Sequence, residues 1–172
     1  NSIQHRHGIF IETRLNKILE TGKVRATVIA PVPWFPVKSK RFQKYSQYVD
    51  VPSIEQRNET VIYHPRYLVI PKLGMLLTTV FLALSIFICS SKVKKTGYGF
   101  DLIDAHYFYP DGVAVALVAK FLQVPFVISA RGSDINFITE YRWPRKMILW
   151  AARHANASIT VSSALKTKMV AI

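Results

Sequence analysis

The chain has 172 residues, enough to bury the core of one ordinary domain and short for most two-domain enzymes. Twenty-three Lys and Arg against ten Asp and Glu give a formal charge of +13, which favours phosphorylated substrates, acidic lipid headgroups or nucleic acid as partners. Half of the residues are hydrophobic and there is one cysteine, Cys89; the first excludes a disordered basic tail, the second a disulfide framework or a CxxC zinc pair, and a reducing, cytosolic setting fits.

In chain order, Ile9-Phe10-Ile11 with Leu15, Ile18 and Leu19 has helical spacing, and Thr21-Gly22 ends that helix as a C-cap does. Val24 to Ala30 reads as a strand that stops at Pro31-Val32-Pro33, since proline cannot keep donating to a ladder. Trp34 to Tyr48 is a long loop rich in Lys, Tyr and Phe. Glu59 to Tyr63 is a second strand limited by His64-Pro65, with Val49 to Ile54 competing for the role.

Leu73 to Ser91 carries no charge and is about as long as a bilayer span requires. Strand-like segments on both sides argue against a span if they share one sheet. The reading is a packed, sheet-covering helix; a face touching a membrane surface beside the basic runs KSKRFQKY and KVKK is the alternative.

From Phe100 strands and helices alternate: strand FDLIDAH, helix Asp111 to Gln123, strand Pro125 to Ala130, helix around Pro144 to His154, strand Ala157 to Val161, and a helix from Ser162. Such alternation means βαβ units and a parallel sheet covered on both faces, an α/β, Rossmann-like class. Ligands of such sheets sit at the carboxyl ends of the strands. Three seams lie there: His106 to Gly112, Ala130 to Asn136, and Val161 to Ala164.

At the first seam His106 ends the strand, either as a satisfied structural histidine or as a group facing the cleft, while Asp111 is placed to N-cap the next helix and Gly112 allows close backbone approach. At the second, Arg131, Gly132, Ser133 and Asp134 suit an anionic or hydroxyl-rich ligand, or form a plain βα turn capped by Asp134. Ser162 or Ser163 caps the last helix. GxGxxG, P-loop, GxSxG, HExxH and paired-carboxylate motifs are absent, and with them the common nucleotide and hydrolase signatures.

HGIFIETRL, PVPWFP, DLIDAHYFYPDGVAVALVAKFLQVPFVISARGSD and ASITVSSALK together resemble the N-terminal domain of family-4 retaining glycosyltransferases with the GT-B fold. The resemblance implies a three-layer Rossmann-like domain over residues 1–172, without its expected first strand and without the C-terminal donor-binding domain, in a chain that is a piece of a longer protein. It carries the family's glycine loop near the donor diphosphate onto Arg6-His7-Gly8, and the histidine close to the reacting sugar onto His106. Gly8, Arg131, Gly132, Ser133 and Asp134 would then bind donor diphosphate or acceptor; at 131 the family often has histidine where this chain has arginine.

The implied parent is a hexosyltransferase-type enzyme that moves a sugar from a nucleotide diphosphate sugar to a glycan or lipid-linked acceptor, with retention and without metal or other cofactor. The fragment alone is expected to be inactive. The implied setting is cytoplasmic, with an anionic membrane surface on the inner face as a further partner and no nucleic acid. A basic α/β module for nucleic acid or phospho-ligands is the rival reading.

Overall fold

The computed structural model describes residues 8–34, 48, 50–58, 60–70 and 74–172. They form two compact units, Asn1–Val69 and Ile70–Ile172.

In the first unit, helix α1 (Ile9–Leu19) starts at Gly8, whose φ of 86° is left-handed, and stops where Gly22 turns at φ 68°. Strand β1 is only Val28–Ile29. β1 ends before Pro31, as expected, but the same register resumes beyond it in β2 (Val32–Trp34), which pairs in parallel with β5 (Arg66–Leu68) as β1 does with β4 (Thr60–Tyr63). The ladder survives because its donors are Ala30, Val32 and, from the partner, Val69. Pro31 and Pro33 fall on the alternate phase, where no N–H is needed.

Of the two candidates for the second strand, the later one is β4, while the competing Val49 to Ile54 contributes only Ile54 to a strand among its described residues. Ile54–Arg57 (β3) and β4 form an antiparallel hairpin, turned by Asn58 at φ 51°. His64 closes the unit: Nδ1 lies 3.0 Å from the Ala30 carbonyl and Nε2 3.2 Å from Glu55. Burial raises the Glu55 pKa, but hydrogen bonds from Arg57 and His64 outweigh it and leave the carboxyl below its ordinary value.

The second unit is built on a parallel sheet in the order β6 (Ile103–His106), β7 (Phe126–Ala130), β8 (Ala157–Thr160), with His106 opposite Ser129. Helix α2 (Gly74–Lys95) comes first. An irregular turn, Phe108–Gly112, leads from β6 into α3 (Val113–Leu122), and α4 (Ser133–Asn136) follows β7. A 3-10 turn at Ile138–Glu140, α5 (Arg142–His154) and α6 (Ser163–Val170) complete the unit. The helix expected from Asp111 begins two residues later, and its start has no side-chain cap, so the anticipated N-cap role of Asp111 is not realised.

The core lies where Phe108, Val113, Ala114, Val118, Ile128 and Ala130 meet, all almost fully buried. Helix α2 packs chiefly on α3, the irregular turn and α5 rather than on the sheet. Thr79, Leu82, Ala83, Ile86, Ser90 and Val93 form its buried stripe at helical spacing. Among the described residues it is the one helix long and apolar enough to cross a membrane, and 44% of that stretch is buried.

Candidate functional site

Two neighbouring strand ends build the site. Residues 104 and 106 share one face of β6 because side chains alternate along a strand, while Ala105 between them is buried against the core. At the end of β6 the chain turns at Tyr107, held at φ 84°, a region that L side chains rarely adopt and that stores strain of about 1–3 kcal/mol. It is anchored by its N–H to the Ser129 carbonyl at 2.8 Å, and its hydroxyl hydrogen-bonds that of Ser133.

Asp134 ties the two seams together. It is completely buried, and its carboxylate accepts backbone N–H groups from Phe108 at 2.8 Å, Gly132 at 2.8 Å and Arg131 at 3.1 Å. Its oxygens are therefore spent on shaping the loops, and what they leave outward is the Arg131 side chain. Gly132, at φ 128°, supplies the backbone angle this tight turn needs.

Arg131 reaches back across the strand ends. Its Nη2 lies 2.9 Å from Nδ1 of His106, and Nε2 of His106 lies 3.8 Å from Asp104 Oδ2. On the other side of Arg131 a hollow of about 410 Å³ opens, lined by Arg131, Gly132, Asn136, Ser162, Leu165 and Lys168 among others. Ser162 caps α6 by accepting the Leu165 N–H at 3.2 Å, as expected of that seam, and Lys168 Nζ donates to the Asn136 carbonyl at 3.2 Å. Two cations and a helix N-terminus thus border a space that suits an anionic or hydroxyl-bearing group.

The fold therefore brings His106, Arg131, Gly132, Ser133 and Asp134 into one site. Gly8 belongs to the other unit, where its carbonyl accepts the N–H of Ile11 at 2.8 Å and of Glu12 at 3.0 Å; Arg6 and His7 lie outside the described residues. Asp104, Tyr107 and Lys168 were not singled out from the sequence. Asp104 was legible in principle, two residues before His106 on a strand; the other two depend on turns that only the fold defines. Among the described residues no three His, Cys, Asp or Glu side chains converge as metal ligands.

Asp111 sits at the rim of the same seam. Burial pushes its pKa up to about 6, against a backbone hydrogen bond that lowers it. Burial likewise raises the Tyr109 phenol.

A parallel α/β unit with cationic and imidazole groups gathered at its carboxyl edge defines a ligand-handling domain of the Rossmann-like class. Residues 25–172 match the family model Glycosyltransferase Family 4, and the chain belongs to that family. It is 29% identical over 171 residues, 98% of its length, to a Bacillus subtilis (strain 168) protein named "Putative teichuronic acid biosynthesis glycosyltransferase TuaC". A 71-residue stretch, 41% of the chain, is 30% identical to an uncharacterized glycosyltransferase of Methanocaldococcus jannaschii. The aligned regions span 42% and 20% of these two relatives.

Proposed function

We propose that this chain is the acceptor-side half of an enzyme that transfers a hexose from a nucleotide diphosphate sugar to a glycan or lipid-linked acceptor, with retention at the anomeric carbon. The observation that carries this reading is the meeting of His106 and Arg131 at the carboxyl edge of the sheet, 2.9 Å apart, in a chain of glycosyltransferase family 4. Sugar transfer develops negative charge on a diphosphate leaving group and needs groups that orient hydroxyls. Arg131, Lys168 and the α6 N-terminus supply positive potential, and the His106 ring supplies a directional hydrogen bond. The polysaccharide in the name of the Bacillus relative supports a glycan acceptor, and the charge of +13 suits an acidic one.

Transfer of labelled sugar by the full-length enzyme tests the reading. His106→Ala is expected to lower turnover at least about tenfold while the fold survives; unchanged turnover in a folded variant removes His106 from the site.

The proposed location is cytoplasmic, peripheral on the inner face of the membrane. Its support is the outer stripe of α2, with Val80 48%, Leu84 54% and Ile88 46% exposed, followed by Lys92, Lys94 and Lys95. Phe121, 76% exposed, adds to this face through its edge contact with Phe87.

A further inference from the structure

We infer that Arg131 is a positioning residue that fixes the proton of His106 on Nε2 and so makes this histidine a hydrogen-bond donor to a substrate oxygen rather than a proton acceptor. A guanidinium has five N–H groups and no lone pair to offer, so it can only donate. Across the 2.9 Å contact between Arg131 Nη2 and His106 Nδ1, the ring nitrogen must therefore present its lone pair. In the neutral ring the proton then belongs to Nε2.

The surroundings hold this arrangement from three directions. Asp134 clamps the backbone N–H groups of Arg131 and Gly132, which sets where the arginine side chain leaves the sheet. Register places His106 opposite Ser129, two residues before Arg131 on the adjacent strand. Asp104 faces Nε2 from 3.8 Å, and its negative charge favours a proton on that nitrogen.

The chemical consequence concerns the reaction. Accepting a proton at Nδ1 would require giving up the arginine contact and would set two cations side by side. Nε2–H is already a donor and needs no proton transfer to act. Its acceptor would be a hydroxyl or ether oxygen of the sugar, or an oxygen on which charge develops as the bond to the leaving group breaks. This role rests on the sugar-transfer reading; the tautomer itself does not.

The test is histidine-selective ¹⁵N NMR of the protein at neutral and mildly alkaline pH, reading the long-range couplings that separate the two neutral tautomers. The expected wild-type pattern for His106 is a protonated Nε2 and an unprotonated Nδ1. Arg131→Met, which keeps bulk and removes the donor, is expected to give a mixture of tautomers, and Arg131→Lys to restore the wild-type pattern. A wild-type ring protonated on Nδ1, or a folded Arg131→Met with an unchanged pattern, overturns the proposal. If Arg131→Met does not fold, the wild-type spectrum alone decides. Transfer assays of the same variants separate the two readings: tautomer control without any sugar transfer in the wild type defeats the proposed function alone, and transfer without tautomer control defeats the role of Arg131 alone.

Discussion

Asp134 accepts the backbone N–H of Phe108 across 2.8 Å, although the two residues follow different strands and lie 26 positions apart. With Gly132 and Arg131 on the same carboxylate, one buried side chain holds both loops that carry the site. Asp134→Ala leaves these amides without their acceptor and is expected to cost about 3 kcal/mol, since each unsatisfied buried group costs about 1–3 kcal/mol. Chemical denaturation reads the loss. A change under about 0.5 kcal/mol, the range of ordinary surface substitutions, would show that the carboxylate is not the clamp.

Gly112, immediately before α3, packs tightly against β7. A Cβ there would lie 2.9 Å from Ile128 Cγ2 and 3.1 Å from the Tyr107 carbonyl oxygen, and Ile128 is fully buried, with its branched Cγ2 unable to swing away. Gly112→Ala is expected to destabilise by about 1–3 kcal/mol through overpacking. The penalty should shrink in an Ile128→Ala background, a coupling that a double-mutant cycle measures.

The Asp111 carboxyl gives the fold a pH signature. Its folded pKa of about 6 lies above the ordinary value of 3.8, so the folded state holds the proton more tightly than the unfolded one. The stabilisation is fully present below the unfolded pKa and is lost as pH rises through about 6. Asp111→Asn is expected to gain up to about 3 kcal/mol relative to wild type at pH 7 and little or nothing below pH 4. Thermal unfolding of both proteins across that range checks it; parallel profiles would refute it.

The exposed stripe of α2 predicts vesicle binding. Sedimentation with anionic vesicles at low salt should carry the protein down, with binding lost at high salt as screening removes the lysine contribution of about 1 kcal/mol per charge. Leu84→Ser should weaken partitioning about tenfold, the equivalent of losing one buried leucine. No binding to anionic vesicles at low salt would sink the membrane location.

Much of the second unit was legible because its signals are local. Apolar runs of strand length, the Pro and Gly punctuation around them, and helical spacing from Ala114 to Leu122 place β6, α3, β7, α5, β8 and α6 within a few residues of where they lie. The first unit was harder. Pro31 reads as a strand terminator, and only the phase of the parallel pairing reveals that its missing N–H costs nothing. In the second unit the exception is Asp111, which reads as a cap, yet the irregular turn after Tyr107 moves the helix start past it.

Hydrophobic period and turn chemistry act over a few residues, so the sequence alone determined the α/β class, the strand-to-helix rhythm and the seams at His106, Arg131 and Ser162. Which side chains converge at those seams depends on register between segments far apart in the chain, and only the tertiary structure decides it. His106 opposite Ser129 puts Arg131 within reach of the imidazole, and the burial of Asp134 turns an expected cap into the clamp that holds the arrangement.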